Sequence, residues 1–576
     1  MSDAGQLDPE QADVVAADVS DGRIVLAPPG SGKTEVVAAR IANLVEEQGL
    51  DPYDELLVIS FSRAAVAALR RRSVDRVKVA GLPVRTIDGV ASLILSEHGA
   101  TGWEAASFDR RVDLAIEQLM ENGLSVGLEG TKHIIVDEVQ DVVGRRARLV
   151  LELLKHLPED GGFTLLGDPH QAIYDFQLQH EPDAMTSHAF LEEASSLGTV
   201  RTTRLRGQYR AMTNDTRKVA ALGESDLIGE ARVKEVRTFI AGVEAYGDLS
   251  GIARAISRWR GTTAVLCKTN GEALVVADIL RTAGVPAVLR AAAEELPLVA
   301  WIAESLGEVQ GSSVKKETAL SLLEGAPGEP EEAWRILKSV ERDFRTSGRL
   351  DLTKVATRLA AGVVPAELRG GDGDVVVSTI HRAKGLEFDH VVIVNKGDLL
   401  PAGATEEQAA VAYVGVTRAR QRVVAATAKL PSPLFRDPTT QRWVLGGHQK
   451  WMTKAVEVRG VDVDPSWAPQ GAAFPGVGSE VVARVSKRYS TIGTPVYELA
   501  ASGSVFGRTT EAFGQTLVKR LRGPRQSGRP WPDIIGLGVD SLATIIPPLA
   551  GGGPRFRLGV RVSGLGVLQW DGVKDG

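Results

Sequence analysis

A single cysteine, Cys267, stands among 576 residues. That excludes an internal disulfide and any multi-cysteine zinc or iron–sulfur centre, and agrees with a reducing compartment. Cys267 closes the apolar run Thr263 to Leu266 and is expected in the core. No run of eighteen apolar residues exists, so no transmembrane helix is expected and no membrane partner follows. The opening M-S-D-A-G-Q-L-D-P-E lacks the basic and apolar blocks of a signal peptide, which predicts a cytoplasmic protein. An excess of positive charge is also missing. At a net charge of −6, any nucleic-acid binding has to come from local basic surface. What the chain does have is length for about three to five domains and, at 43% hydrophobic residues, an ordinary globular composition.

The stretch H-I-I-V-D-E-V-Q-D, His133 to Asp141, organises the rest. Ile134, Ile135 and Val136 predict a buried parallel strand, and Asp137, Glu138 and Asp141 follow where such strands end. Ligands of open α/β sheets sit at that edge. A carboxylate there can hold Mg²⁺ through water, and its neighbour can orient or deprotonate the water that attacks a terminal phosphate. A bare D-E pair is more often a solvated acidic turn, so the reading depends on a partner upstream. Residues Arg23 to Ala27 predict a short strand, followed by Pro28-Pro29-Gly30-Ser31-Gly32-Lys33-Thr34 and a helix from Glu35 to about Gln48. Strand, glycine-rich loop, G-K-T and helix form the context of a phosphate-binding loop. There the backbone N–H groups of Gly30, Ser31 and Gly32 meet phosphates, Lys33 reaches the β/γ oxygens, and Thr34 offers its hydroxyl to Mg²⁺. Ala27 stands where the first glycine of that loop is usual.

Further strand-to-loop junctions recur along the chain. Leu56 to Ser60 runs into Phe61-Ser62-Arg63, and Leu165 to Gln171 is followed by Tyr174 and Phe176. A second α/β set is expected from Arg201, including Gln208-Tyr209-Arg210 and the strand Ala264 to Cys267 leading into Lys268. Residues 291–372 read as a helical insertion. Strand patterning then returns on both sides of Thr379-Ile380-His381-Arg382-Ala383-Lys384-Gly385-Leu386-Glu387-Phe388, and a helix carries Tyr413 to Arg420. Residues 431–476, punctuated by proline, predict a connector whose tryptophans Trp443, Trp451 and Trp467 pack on something. Residues 477–576 predict a β-rich domain without a recognisable catalytic motif.

The order of these segments carries a resemblance. Gln11, APPGSGKT, SFSR, DEVQD, GDPHQAIYDF, QYR, STIHRAKGLEF and YVGVTRAR resemble, in sequence order over about 430 residues, the UvrD/Rep-type superfamily 1 DNA helicases. The resemblance implies an α/β fold of two RecA-like domains, 1–200 and 201–430, that bind ATP and Mg²⁺ and move along single-stranded DNA, typically 3′ to 5′. It assigns Gln11 to the adenine edge, Asp137 with Thr34 to Mg²⁺, Glu138 as general base, and Gln171 as the sensor of γ-phosphate and attacking water. Tyr209 would stack on adenine, Glu387 would hold the ribose, and Arg210 and Arg418 would meet the γ-phosphate. Phe61, Tyr174 and Phe176 would stack on bases, while Arg63, Lys268 and His381 would meet phosphates or sugars.

The chain departs from the family's pattern in places. Glu35 stands where an arginine usually flanks the adenine, Gln177 follows Phe176 where arginine is common, and Asp88-Gly89 replaces His-Ser. Both family insertions, about 90–131 and 291–372 here, are short. The expected activity is therefore a DNA-dependent ATPase and helicase on single-stranded or tailed duplex DNA, in repair or antiphage defence. A nuclease or repair subunit could dock on 431–576. The alternative is a nucleotide-gated subunit that binds DNA or a partner and unwinds little by itself.

Overall fold

The computed structural model describes all residues except 1–6, 61–83, 104–105, 175–177, 179–183, 210–212, 291–296, 342–347, 362–363, 371–372, 448–451, 466–473, 492, 522–530, 548–554 and 571–576. The chain divides into two compact units. One comprises 1–243, 384–387 and 399–423, and the other 244–383, 388–398 and 424–576.

The first unit is built on a six-stranded parallel sheet of β1 (Gly22–Leu26), β2 (Leu56–Ser60), β3 (Val84–Arg85), β4 (His133–Asp137), β5 (Gly162–Gly167) and β6 (Val200–Arg204), in the order β3-β2-β4-β5-β1-β6. The inner strands are apolar along their whole length because helices cover both faces, and β2, β4 and β5 are buried throughout. Register fixes the functional edge. Ser60 lies beside Asp137, Asp137 beside Leu166, and Leu26 beside Gly167, so the segments after β1, β4 and β5 emerge together. Strand β6, where the sequence predicts a second α/β set to begin, instead pairs with β1 in this first sheet. Its sequence V-R-T-T-R is that of a half-exposed edge strand, which hides it from a search for apolar runs.

Two helices flank the loop after β1: α1 (Pro9–Val15) and α2 (Lys33–Ala42), which continues into a wider turn at Asn43–Glu47. Asp8 caps α1 in a reciprocal box with Gln11, and Pro9 fills its first position. Arg40, fully buried in α2, donates to the carbonyls of Val15, Ala17 and Asp18 past the end of α1. This contact satisfies orphan carbonyls at the helix end and locks the Gln11 helix to the helix that follows the glycine-rich loop.

The second unit holds another six-stranded sheet: β7 (Ala245–Asp248), β8 (Thr263–Cys267) and β9 (Val288–Leu289), then, after a helical excursion with the antiparallel pair β10 (Ser313–Lys315) and β11 (Arg349–Asp351), β12 (Val375–Thr379), β13 (Phe388–Val394) and β14 (Ala419–Thr427). Its order is β7-β14-β13-β8-β12-β9. Strand β8 runs parallel to both β12 and β13, as β9 does to β12. The excursion packs a core around Trp301, Trp334 and Leu337, to which Phe556, just before β22, contributes.

An eight-stranded antiparallel sheet completes this unit: β15 (Leu434–Arg436), β16 (Trp443–Gly446), β17 (Thr453–Val458), β18 (Glu480–Val485), β19 (Tyr497–Ala501), β20 (Ser504–Arg508), β21 (Asp533–Ile545) and β22 (Arg557–Gln569). The expected connector 431–476 thus contributes β15 to β17, and β17 pairs with β22. Its prolines separate short strands rather than mark a structureless link. Trp443 packs against the backbone of Gly271, where an added Cβ would meet the indole at 2.3 Å; Trp451 and Trp467 lie outside the described residues. Among the described residues no helix is long and apolar enough to cross a membrane.

His133 in β4 offers a test of the first unit. It is fully buried, with Nδ1 2.7 Å from the Val19 carbonyl oxygen and Nε2 2.9 Å from the Thr164 hydroxyl. The carbonyl can only accept, so Nδ1 carries the proton and Nε2 accepts from Thr164. Burial, with the nearby Arg40 charge, pushes its pKa down to about 3. A histidine with a lowered folded-state pKa contributes its full stability above about pH 6.5 and loses it as protonation favours the unfolded chain. Between pH 7 and pH 5 the first unit is expected to lose about 2 kcal/mol through this residue. Denaturant unfolding at the two pH values checks this, and His133→Gln should flatten the difference.

Candidate functional site: a nucleotide cradle at the sheet edge

The loop between β1 and α2 turns on Gly30 and Gly32, at φ of 86° and 80°, a region that side chains disfavour. An added Cβ on Gly32 would strike Gln11 Nε2 at 2.6 Å and approach the Tyr209 ring at 3.3 Å. Gln11 donates to the Ser31 carbonyl at 3.0 Å, and Tyr209 N donates to the Gly30 carbonyl at 2.8 Å. The Tyr209 hydroxyl is held by Asp8 at 2.7 Å. Tyr209 remains 56% exposed, so the loop has an open aromatic ring beside it. Thr34 is the second residue of α2, at the end where helix N–H groups favour anions.

Opposite the loop, Lys33 Nζ lies 2.5 Å from Glu138 and 3.4 Å from Asp137. Burial alone would pull the ammonium's pKa down, but the two carboxylates hold it above its usual value. Burial likewise pushes Glu138 up; Lys33, with a hydrogen bond from Gln140, overrides this and holds the carboxyl at about 2. Asp137, buried next to Glu138, is raised despite Lys33. Glu138 also has φ 58°, a left-handed backbone that costs a non-glycine residue roughly 1 kcal/mol or more. Its side chain meets Lys33 and Gln140.

From Glu138 a run of hydrogen bonds leads to the residues assigned to γ-phosphate. Gln140 Nε2 donates to Glu138 at 2.6 Å, and its Oε1 accepts from Asp168 N at 3.0 Å. Asp168 accepts from Gln171 Nε2 at 2.9 Å, and Gln171 Oε1 accepts from Arg418 Nη2 at 2.8 Å. Charge fixes both amide orientations: the NH₂ of each glutamine faces a carboxylate, and the oxygen of Gln171 faces a guanidinium. Arg418 is 5% exposed, follows the helix Glu406–Thr417, and also donates to the carbonyls of Val414 and Leu386. Tyr413 in that helix reaches Asp168 at 3.4 Å.

A second buried pair adjoins this run. Lys384 donates to Asp141, and to the Gln171 carbonyl at 2.6 Å, with its ammonium 4.8 Å from the centre of the Tyr174 ring. Burial drives both partners toward their neutral forms, Asp141 up to about 7 and Lys384 below its usual value.

The structure therefore brings together Gln11, Gly30, Ser31, Gly32, Lys33, Thr34, Asp137, Glu138, Gln171, Tyr209 and Arg418. Glu387 lies in the same unit, paired with Arg420 at 3.0 Å. Lys268 and His381 lie in the other unit, at the C-terminal edge of its parallel sheet, because Thr379 stands beside Cys267. Phe61, Arg63, Phe176 and Arg210 lie outside the described residues. Asp88, in place of the family's histidine, pairs with Arg146 at 3.0 Å. Gln140, Asp168, Lys384 and Tyr413 have working contacts that the sequence did not assign. All sit inside the segments that carry the resemblance, so each was visible as a residue and only its partner was not.

The cradle fits a magnesium nucleotide. Among the described residues the buried Ser31 hydroxyl has no hydrogen-bond partner, Gly32 leaves no room for a side chain, and a carboxylate and a hydroxyl, Asp137 and Thr34, are the oxygen donors Mg²⁺ takes. This defines a P-loop nucleotide-binding domain joined to a second RecA-like domain. Residues 11–177 match a family model described as an AAA domain, and residues 332–429 match one described as a UvrD-like helicase C-terminal domain. Together with the motif order, the two matches indicate a UvrD-like superfamily 1 helicase. No curated protein matches the chain. Solved structures with some likeness include the DUF1998 helicase MrfA bound to DNA, at 12% identity and TM-score 0.36, covering 74% of this chain and 49% of that one. The chain thus spans about half of MrfA's length. Another is a variant of S. cerevisiae Dbp5 bound to Nup159, a Gle1 variant, IP6 and ADP, at 11% identity and TM-score 0.33, covering 73% of this chain and 83% of that one.

Replacing Gln140 tests the run of hydrogen bonds. Gln140→Leu leaves the buried Asp168 N–H without its acceptor and is expected to cost the fold about 1–3 kcal/mol. It also removes a donor that lowers Glu138, so the acid limb of any ATP-hydrolysis profile should move to higher pH. Denaturant midpoints and a pH–rate profile read the two effects separately.

Proposed function

We propose that the protein is an ATP- and Mg²⁺-dependent translocase or helicase that moves 3′ to 5′ on single-stranded DNA, in repair or antiphage defence. The observation that carries this reading is the continuous path from Glu138 through Gln140, Asp168 and Gln171 to Arg418. It joins a water-activating carboxylate to a guanidinium supplied by a distant part of the chain.

Held at about 2, Glu138 is ionised at neutral pH and can orient an attacking water and accept its proton. Thr34 and Asp137 would hold Mg²⁺, which would supply positive charge to the nucleotide's phosphates. Lys33, which neutralises both carboxylates in this structure, turns to the phosphates when nucleotide binds. Gln171 and Arg418 meet the γ-phosphate side, where a guanidinium stabilises transition-state charge by ~10³ or more in rate. Gln11 and Tyr209 hold the base, and Glu387 the ribose. Tyr174 lies against Lys384, which also holds the Gln171 backbone, so a base stacked on Tyr174 is felt at the γ-phosphate sensor. Lys268 and His381 take backbone phosphates or sugars in the second unit.

The eight-stranded sheet of 434–569 has a core of its own around Tyr497, Phe513 and Val562. That observation favours a second reading, a nucleotide-gated subunit whose partner docks there.

The tests separate the two. Glu138→Gln is expected to lower DNA-stimulated ATP hydrolysis by roughly 10²–10⁴, the range for loss of a general base, while keeping nucleotide binding; Lys33→Ala should lose both. Unchanged hydrolysis in either variant would sink the assigned mechanism. Wild-type protein should also unwind 3′-tailed duplexes in preference to 5′-tailed ones. Intact hydrolysis with no directed motion on either tail, alongside ATP-dependent partner capture, selects the second reading.

A further inference from the structure

Asp8 bonds to both residues that hold the base. Its backbone N–H donates to Gln11 Oε1 at 3.2 Å, one carboxylate oxygen accepts from Gln11 N at 2.8 Å, and the other accepts from the Tyr209 hydroxyl at 2.7 Å. The same hydroxyl lies 3.5 Å from Gln11 Oε1. Gly207 permits this close approach, since an added Cβ there would lie 2.5 Å from the Asp8 carboxylate and 2.6 Å from the tyrosine ring.

These bonds fix which way the Gln11 amide faces. Its nitrogen donates to the Ser31 carbonyl at 3.0 Å and its oxygen accepts from the Asp8 N–H, so a flipped amide would set donor against donor and acceptor against acceptor. An amide has two donor and two acceptor positions. With one of each used inside the chain, one donor and one acceptor are left for a ligand. Adenine matches that pair with its N7 and its N6 amino group, whereas guanine presents O6 in place of the amino group and would set oxygen against oxygen.

The Tyr209 hydroxyl can compete for the same Gln11 oxygen. A phenol has one proton to give, and burial together with the bond to Asp8 pushes its pKa up to about 12, so it keeps that proton at neutral pH. The shorter bond, to a carboxylate, takes it. We propose that Asp8 is a base-specificity residue: by holding the Tyr209 proton it keeps the Gln11 oxygen open for an exocyclic amino group, and so selects adenine over guanine nucleotides. This rests on the reading of Gln11 and Tyr209 as the pair that holds the base. Capping α1 would be served as well by asparagine or serine; accepting from Gln11 N and from Tyr209 at once takes both oxygens of a carboxylate.

The experiment uses the full chain with Mg²⁺, and ADP and GDP as probes, with dissociation constants measured by calorimetry in the absence of DNA. Asp8→Asn keeps the helix cap through its amide oxygen but sets an NH₂ toward Tyr209, which turns the phenol proton to Gln11. The preference for ADP over GDP is expected to fall about tenfold, the effect of one lost hydrogen bond. Tyr209→Phe removes the competing proton, so Asp8→Asn combined with Tyr209→Phe should regain most of the preference. A residue that only caps α1 predicts neither the fall nor the recovery. If Asp8→Asn does not fold, Asp8→Ser, which caps with a single oxygen, is measured in its place, alone and with Tyr209→Phe.

An unchanged preference in the folded Asp8 variant, or one that stays low after Tyr209→Phe is added, overturns the role given to Asp8. Wild-type protein that binds ADP and GDP equally well also overturns it and leaves the nucleotide-driven motor standing. Wild-type protein that binds neither nucleotide sinks the motor reading, and this proposal with it.

Discussion

Two carboxylates at the end of one buried strand require a cation, and Lys33 provides it. Asp137 and Glu138 are adjacent, largely removed from water, and unable to stay charged together without compensation. The ammonium between them keeps Glu138 ionised and sets the distance between the glycine-rich loop and the end of β4. The positive φ of Glu138 and the hydrogen bond from Gln140 accompany that triad. The same requirement makes the site responsive, because any ligand that brings its own cation to Asp137 releases the ammonium for other work.

Around the triad, the remaining polar groups form a connected run in which donors face acceptors of suitable charge. Gln140 and Gln171 are the joints, since an amide can face a carboxylate with one end and something different with the other. Asp141 and Lys384 extend the run toward Tyr174. Buried networks of this kind are costly when one member is missing and rigid when complete. They therefore suit a place where loss of a phosphate oxygen has to be transmitted to neighbouring segments.

Much of this was legible in the sequence because parallel α/β sheets advertise themselves. Ile134-Ile135-Val136 and Leu165-Leu166 are buried on both faces, and polar residues after such runs can only lie at the sheet edge. The glycines of the loop and the G-K-T sequence gave the cradle in the same way. Less legible was anything set by pairing over distance. Strand β6 reads as polar because only an edge is needed there, and the region around Trp443 reads as a linker because its strands are short and separated by proline. The contacts of Gln140 and Lys384 depend on which segments meet across hundreds of residues, which periodicity does not encode.

The division of the chain carries a further consequence. The first unit is not a contiguous piece: it takes back residues 384–387 and 399–423 after the chain has already left it at Val243. Among what returns are Lys384, Tyr413 and Arg418, the neighbours of Asp141, Asp168 and Gln171. A polypeptide ending near Val243 would expose the floor of its own nucleotide cradle and leave Asp141 buried without its counter-charge. Such a half is not a free-standing module that recombination could transplant.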